Sequence, residues 1–394
     1  MVLPEDSIKY IRKDILEILT EGGFERLGEA MKILIDAAMI AEREKYIGAG
    51  PYERTEARSG YANGFKPKTM KTRVGEIQLA VPQTRDGKFY PSCLEKGQRS
   101  ERALRLAVAE MYLQGVSTRK VMAITEELCG FEISSSQVSK ATAELDSLFR
   151  AWRERALGCY PYVYLDARYE KVREGGVVID QAVLVAVGVF EDGTREVIGV
   201  SVELSEAEVH WRKFLQNLQQ RGLHGVQLFI SDDHQGLKAA RKAVFSGVPW
   251  QRCQYHLQQN AQKYVPKDDM KEQAAADIRA VFNAPDAIEA DRLLSKAVAS
   301  YEKSAPRLST WMAENLPEGM TVFAFPAKHR VKLRTTNGVE RLNREIKRRT
   351  RVVSIFPNAA SCLRLVTAVV METSEDWQSE RNVYLTFDKA IDHG

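Results

Sequence analysis

Three apolar segments rich in β-branched residues follow one another at short intervals in this chain, and they constrain its fold more than any other feature. They are YVYLDAR from residue 162, QAVLVAVGVF from 181 and REVIGVSVEL from 195, with the turn EDGT before the third. Such segments are typical of strands in hairpin order. A helical pattern, the strand-like VQLFIS and a second helical pattern follow. This order predicts a mixed α/β sheet.

The composition fits a globular protein with more than one domain. The chain has 394 residues, of which 44% are hydrophobic, and its net charge of +4 says little until the charges are located. Five scattered cysteines favour free thiols in a reducing cytoplasm over a disulfide framework or a four-ligand zinc site. No signal-peptide pattern and no apolar run of about 20 residues occurs, so we expect no membrane association.

Residues 257–329 show helical patterns without strand patterns, and prolines mark the breaks between them. This region is predicted to be an α-helical insertion within the α/β domain. It divides that domain into a first part, residues 156–256, and a C-terminal part, residues 330–394. The C-terminal part begins with a helix that contains Glu340 and ends with an amphipathic helix.

Residues 1–99 are predicted to form an N-terminal helix and then a basic arm rich in glycine, proline and aromatic residues. Two interpretations of the arm stay open: a solvated hairpin, or a segment that follows a nucleic-acid backbone. In the second interpretation the candidate DNA contacts are Lys66, Lys68, Lys71 and Arg73.

Residues 100–155 contain three helical patterns separated by glycines, with Ser117 and Ser134 as predicted N-caps. A helix-turn-helix unit has this layout, but three-helix bundles that bind nothing are common too. DNA binding by this region is therefore a hypothesis. The polar side chains that would then reach DNA are those of Ser135 and Gln137.

One carboxylate, Glu340, precedes a basic run in the segment TTNGVERLNREIKRRTR, which starts at residue 335. At the α-helical period, Val339, Leu342 and Ile346 form a core-facing stripe, and Glu340 lies on its flank. Glu340 could pair with the arginine four residues later or form a capping box, and the basic run could be a solvated face. If the helix instead edges a cleft, the cations that would hold DNA are Arg341, Arg344, Lys347, Arg348, Arg349 and Arg351.

Two aspartates belong to the predicted sheet. Asp166 lies on the first strand, and Asp232 follows the strand VQLFIS, where it or Asp233 could simply cap the next helix. If Asp166, Asp232 and Glu340 converge, their repulsion must be offset, because like charges about 4 Å apart cost about 4 kcal/mol at an effective dielectric of 20. Oxygen ligands favour Mg²⁺ or Mn²⁺, and two such ions can promote phosphodiester chemistry.

These motifs together resemble those of the mutator-type family of bacterial insertion-sequence transposases. The similarity rests on YLDAR around Asp166, ISDDHQGL around Asp232, WQRCQYH, and the segment around Glu340, in that order. The N-terminal arm is similar as well, so the resemblance covers nearly the whole chain. It implies a DDE transposase with an RNase H-like mixed sheet interrupted by an α-helical insertion, and a mainly helical N-terminal DNA-binding region.

The resemblance assigns Asp166, Asp232 and Glu340 as the catalytic, metal-binding triad. Asp232 occupies the aspartate position of the S-D-x-H-x-G-L pattern, but Asp233 stands at the x, so the second acid is open between the two. Three further motif residues receive no firm role: His234, Cys253 and His256. The last two match a C-x-x-H signature and are too few for a zinc site, so a structural or DNA-positioning role is expected.

The implied reaction is hydrolysis at the terminal inverted repeats of a transposon, which frees a 3′-hydroxyl, followed by strand transfer to target DNA. We expect two Mg²⁺ or Mn²⁺ ions, double-stranded DNA as partner, a homodimer, and a bacterial cytoplasmic location at the nucleoid. The alternatives are an RNase H-like nuclease or domesticated transposase that does not integrate, and a DNA-binding regulator in which the carboxylates are incidental.

Overall fold

The computed structural model describes residues 5–379 and 383–387, so the ends of the first and last predicted domains lie outside the described residues. The chain divides into two compact units, Met1–Glu144 and Leu145–Gly394. Within the described part of the chain, no helix is both long and apolar enough to cross a membrane.

The N-terminal unit is mainly helical and contains one hairpin. Its elements are α1 (Glu5–Gly22), α2 (Leu27–Ile47), β1 (Ala62–Thr72), β2 (Gly75–Thr84), α3 (Arg102–Leu113), α4 (Thr118–Cys129) and α5 (Ser135–Ala143). The predicted first helix is thus two helices. They separate at Gly23, whose positive φ of 55° is accessible to glycine and unfavourable for other residues.

The basic arm forms an antiparallel hairpin, β1–β2, whose tight turn lies between Thr72 and Gly75. Alternate residues of the hairpin are buried, and Ile77, Leu79 and Val81 pack with Met39 of α2. One face of the arm therefore belongs to a hydrophobic core, while much of β1 is exposed.

The two predicted N-caps are confirmed. The Ser117 side chain accepts a hydrogen bond from the backbone N–H of Lys120 at the start of α4, and Ser134 accepts one from Gln137 at the start of α5. Gly130 ends α4 in the left-handed conformation. Local sequence signals therefore set the boundaries of these short helices.

The C-terminal unit is a mixed α/β structure. Its strands are β3 (Tyr162–Glu174), β4 (Val177–Val189), β5 (Arg195–Glu203), β6 (Leu228–Ser231) and β7 (Trp250–Arg252). Its α-helices are α6 (Asp146–Arg153), α7 (Glu208–Gln220), α8 (Gln235–Val244), α9 (Gln254–Ala261), α10 (Lys271–Phe282), α11 (Ala287–Tyr301), α12 (Pro306–Asn315), α13 (Ala327–Leu333), α14 (Asn337–Thr350) and α15 (Ala359–Ser379).

The five strands form one sheet in the order β5-β4-β3-β6-β7. Strands β3, β4 and β5 pair antiparallel, whereas β6 and β7 run parallel to β3. The predicted mixed sheet is confirmed, with one additional strand, β7. No strand pattern marks this segment, because β7 is only three residues long and depends on its pairing with β6.

The central strand β3 is covered on both faces. Val163 and Leu165 point into a core with Trp211 and Phe214 of α7. On the other face, the Tyr162 hydroxyl is hydrogen bonded to His329 Nδ1 at 2.9 Å, and Tyr164 donates to the backbone oxygen of Lys332 at 3.0 Å. Asp166 lies on this second face by alternation.

The helical pattern at residues 135–152 is divided between the two units. Helix α5 ends at Ala143, and α6 begins at Asp146 in the C-terminal unit. There Asp146 accepts two hydrogen bonds from Arg364 of α15, at 2.6 and 2.8 Å, and Phe149 is buried. The predicted helical region 100–155 therefore crosses the boundary between units. Residues 257–329, all described, contain helices and no strand.

Candidate active site

Asp166 and Asp232 lie next to each other at the sheet. Leu165 of β3 pairs with Ser231 of β6 in parallel register, and each aspartate is the next residue of its chain segment. Neighbouring strands are about 4.8 Å apart, so Asp166, which lies within β3, is beside Asp232, which follows the end of β6. The pKa of Asp166 is raised to about 6, mainly by burial, with smaller contributions from the charges of Asp232 and Glu206.

Two hydrogen bonds hold the Asp166 carboxylate. Its Oδ1 accepts from the backbone N–H of Ala167 at 2.9 Å, and its Oδ2 accepts from Nδ2 of Asn343 at 2.7 Å. Asn343 lies on α14, three residues after Glu340, and so on the same side of the helix. The sequence analysis missed Asn343, although this spacing from Glu340 was the available signal.

Glu340 is half-buried at the first turn of α14. Its Oε1 accepts a hydrogen bond from Thr336 Oγ1 at 3.3 Å, and Thr336 is the residue before the helix. Asn337 is the first residue of the helix and not its N-cap, and among the described residues no ion pair within 4.0 Å joins Glu340 to Arg344. The two structural alternatives for Glu340 are therefore not formed.

The C-x-x-H signature lies beside the carboxylates. Cys253 precedes α9, and His256 is in its first turn. His256 Nδ1 is 3.7 Å from Asp232 Oδ2. A hydrogen bond to Cys253, together with the charges of Asp232 and Glu340, raises the pKa of His256 to about 9. Asp232 and Glu340 both raise the pKa of the His256 imidazole, and both lie near it.

Asp232 and Asp233 have different environments. The Asp233 carboxylate forms ion pairs with Lys238 at 2.7 Å and with the buried Arg252 at 3.0 Å. Oδ1 of Asp232 is buried, and no hydrogen-bond donor in the described part of the chain reaches it. Asp233 therefore neutralises the buried Arg252, whereas Asp232 faces the site.

The loop before α7 adds Glu206, which the sequence analysis also missed. Its Oε2 lies 3.9 Å from His234 Nδ1, so the motif histidine faces this loop. A Cβ on Gly236 would lie 2.4 Å from the backbone oxygen of Glu206. The glycine of the motif thus permits α8 to approach the loop closely.

Most of the basic residues predicted on and after α14 to contact DNA are exposed, and one is buried. Arg341, Arg344 and Lys347 are exposed and, with Glu340, line a groove of about 480 Å³. Arg348 and Arg351 are exposed as well, with Arg348 paired to a glutamate one turn earlier. The predicted core stripe of Val339, Leu342 and Ile346 is buried, as expected.

Arg349 does not belong to the exposed basic surface. Its side chain is buried and forms ion pairs with Glu345 at 3.1 Å and with Glu372 of α15 at 2.9 Å. The helical period turns this residue towards α15, so its guanidinium joins two helices. We therefore correct its predicted role from DNA contact to packing.

Most of the basic hairpin residues predicted to contact DNA form contacts within the protein. Lys66 is exposed, but Lys68 donates to the Tyr90 hydroxyl at 2.8 Å. Lys71 donates to a backbone oxygen at 2.9 Å and lies over the ring of Phe131. Arg73 is exposed and pairs with a glutamate at 3.0 Å.

The two polar residues predicted to contact DNA, Ser135 and Gln137, lie at the start of α5. Ser135 is exposed. Gln137 uses Oε1 to accept from the backbone N–H of Ser134 at 2.9 Å, which completes a capping box. The Gln137 side chain thus stabilises the helix start, a role the sequence analysis did not assign.

Residues 7–380 match the family described as "Transposase, Mutator family". The chain is 56% identical over 372 residues to the transposase for insertion sequence element IS406 of Burkholderia multivorans, covering 94% of this chain and 96% of that protein. It is 44% identical over 382 residues to the transposase for ISRM5 of Rhizobium meliloti, covering 97% and 94%. Identity to the transposase for IS256 in transposon Tn4001 of Staphylococcus aureus is 39% over 356 residues, covering 89% and 90%. The chain therefore belongs to the Mutator family of transposases.

Proposed function

We propose that this protein is a DDE transposase that cuts the terminal inverted repeats of an insertion sequence and joins the freed ends to target DNA. The observation that carries the proposal is the placement of Asp166 and Asp232 directly after the paired residues Leu165 and Ser231 of two parallel strands. The charges of Glu340 and Asp232 both raise the pKa of His256. Asn343, on the same helix as Glu340, donates a hydrogen bond to Asp166. These contacts support the proposal that the three acids act together.

The residues fit a site for Mg²⁺ or Mn²⁺. The candidate ligands Asp166, Asp232 and Glu340 offer carboxylate oxygens, which hard divalent ions prefer. Asp232 has a buried oxygen to which no donor among the described residues bonds, and burial with nearby negative charge raises the pKa of Asp166. Both observations describe carboxylates that a cation would stabilise. Two such ions, when bound, would supply positive charge that offsets this repulsion and polarises a phosphodiester.

The protein's own residues would orient the reaction. Asn343 and the Ala167 amide fix the Asp166 carboxylate, so its direction is set before DNA binds. In the first step water would attack phosphorus, the bond to the transposon 3′-oxygen would break, and that oxygen would leave as a hydroxyl. In the second step this hydroxyl would attack a target phosphodiester and displace the target's 3′-oxygen.

The exposed cations beside Glu340 would hold the DNA backbone. Arg341, Arg344 and Lys347 line the groove that contains Glu340, so bound phosphates would lie next to the acids. The partners proposed are double-stranded transposon ends and target DNA. Because two ends must be processed together, we propose a homodimer.

We also propose that the C-terminal unit is RNase H-like. The support is its five-stranded mixed sheet, in which three antiparallel strands are followed by two parallel ones, with helices on both faces. The helices of residues 257–329 would then form the insertion before the Glu340 helix.

The test is cleavage of labelled DNA that carries the element's own ends, with Mg²⁺ or with EDTA. The purified protein is compared with Asp166→Asn, Asp232→Asn and Glu340→Gln, and with Asp291→Asn as a control for an exposed carboxylate on α11. We expect metal-dependent cuts at the ends and joined products with the wild type and the control, and neither with the three variants.

Asp233→Asn separates the two adjacent acids. Because Asp233 is paired with Arg252, this variant should be less stable yet should still cleave DNA below its unfolding temperature. Cleavage by Asp232→Asn would contradict the proposed triad. Cuts without joined products would indicate a nuclease, and binding without cleavage in either metal would leave a DNA-binding protein.

A further inference from the structure

Cys253 and His256, at the start of α9, come together with Glu340 of α14. One ligand atom from each, a thiol sulfur, a ring nitrogen and a carboxylate oxygen, lies within 4.8 Å of the other two. Cys253 and His256 are three residues apart at the start of α9, and Glu340 approaches from α14. The sequence analysis counted only the cysteine and histidine and therefore found too few ligands.

The buried Cys253 thiol is surrounded by hydrogen-bonding groups. Its side chain is fully buried, which acts to raise its pKa, but hydrogen bonds from His256 and Thr336 outweigh this effect and lower the pKa. Thr336 Oγ1 lies 3.4 Å from the sulfur and 3.3 Å from Glu340 Oε1, so one hydroxyl contacts both groups. The His256 side chain keeps 30% of its surface exposed.

These three atoms are a ligand set for a borderline-soft ion. Zinc binds cysteine sulfur, histidine nitrogen and carboxylate oxygen, and it leaves a fourth position to water or another ligand. A tetrahedral ion at normal bond lengths separates its ligand atoms by about 3.3 to 3.8 Å, so closure needs movement of about 1 Å. Magnesium disfavours sulfur and nitrogen ligands.

We propose that Cys253, His256 and Glu340 form a zinc-binding site that is distinct from the Mg²⁺ site but shares Glu340 with it. Binding releases the thiol proton and the imidazolium proton to solvent. A zinc ion here takes Glu340 away from Asp166 and Asp232, and it places positive charge beside Asp232, whose Oδ2 is 3.7 Å from His256 Nδ1. This regulation rests on the proposed function, since only then does loss of Glu340 stop DNA cleavage.

The test uses cobalt(II) as a spectroscopic substitute for zinc on the full-length protein. We expect a thiolate-to-cobalt charge-transfer band in the near ultraviolet, which stoichiometric zinc abolishes. The matched control is Cys362→Ala, because Cys362 is a second fully buried thiol of the same unit, on α15. The control should keep the band, and Cys253→Ser should lose it.

His256→Gln provides a second variant at a half-exposed position, in case Cys253→Ser does not fold. Loss of one nitrogen ligand should weaken cobalt binding by about tenfold or more. No charge-transfer band with the wild type would overturn the inference. A band that persists in Cys253→Ser, or unchanged cobalt affinity in His256→Gln, would do so as well.

DNA cleavage separates this inference from the proposed function. At saturating Mg²⁺, stoichiometric zinc should inhibit the wild type and Cys362→Ala alike. Cleavage that zinc does not inhibit, together with no cobalt band, would refute the zinc site and leave the transposase proposal intact. A cobalt band that depends on Cys253, in a protein that never cleaves DNA, would support the site and refute the catalytic function.

Discussion

Replacing Asp166 with asparagine is expected to stabilise the metal-free protein at neutral pH. The carboxylate lies beside the sheet near Asp232 and Glu206, and burial followed by these charges raises its pKa from an ordinary 3.8 to about 6. Above pH 6 the folded protein must keep this group ionised in an unfavourable place. A neutral amide of the same shape removes that penalty.

The direction in which stability changes with pH follows from proton binding. Between about pH 4 and pH 6 the folded protein holds a proton on Asp166 that the unfolded chain has released, so its stability falls as pH rises through this window. Each pKa unit corresponds to about 1.4 kcal/mol, which gives a ceiling of about 3 kcal/mol. Because the side chain keeps some solvent contact, we expect about 1 to 2 kcal/mol above pH 7.

The asparagine can be accommodated with little loss of hydrogen bonding. Asp166 accepts from Ala167 and from Nδ2 of Asn343, while Oδ1 of Asn343 is buried and has no hydrogen-bond partner within residues 5–379 and 383–387. If the Asn343 amide turns over, its oxygen accepts from the new amide nitrogen at position 166. The oxygen of the new side chain still accepts from Ala167.

Urea unfolding in EDTA, followed by tryptophan fluorescence from pH 4 to pH 8, measures the effect. All five tryptophans of the chain lie in Leu145–Gly394, so the signal reports the unit that contains Asp166. The gain of Asp166→Asn over wild type should be small at pH 4, grow to pH 6 and then level off. Asp291→Asn, on an exposed surface, should show no such trend.

Two results would refute this reasoning. A gain that does not depend on pH would show that packing, and not ionisation, differs between the proteins. A loss of stability at every pH would mean that the Asp166 carboxylate makes favourable contacts that outweigh its burial.

The remaining predictions concern packing, capping and the motif glycine. Arg349→Met should lower the free energy of unfolding by about 3 kcal/mol, since it removes the buried guanidinium that joins Glu345 of α14 to Glu372 of α15, whereas Arg344→Met should leave it unchanged. In DNA-binding titrations against salt, Arg344→Met should reduce the slope by about 1, and an unchanged slope would remove Arg344 from the interface. Ser134→Ala should destabilise α5 by about 1 kcal/mol, seen in circular dichroism melting, and an unaltered melt would mean the cap contributes nothing. Gly236→Ala should destabilise the protein by about 1 to 3 kcal/mol and slow DNA cleavage, because its Cβ would lie 2.4 Å from the Glu206 backbone oxygen; full activity would show that the loop yields freely.

The sequence by itself determined the features that depend on neighbours along the chain. β-Branched runs predicted β3, β4 and β5, and the serines before α4 and α5 cap those helices as expected. The core stripe of α14 followed from the helical period and is buried. These predictions were possible because strand alternation, helix periodicity and capping are local properties of a chain.

Tertiary structure alone decided which distant side chains meet. The parallel register of β3 and β6 places Asp232 beside Asp166, while the ion pairs of Asp233 draw it towards Arg252. Packing of α14 brings Asn343 to Asp166 from 177 residues away in the sequence. No local pattern encodes such contacts, because they depend on strand order and on which face each helix turns to the sheet. The same packing turns Arg349 away from the basic groove and joins Glu340 to the C-x-x-H motif.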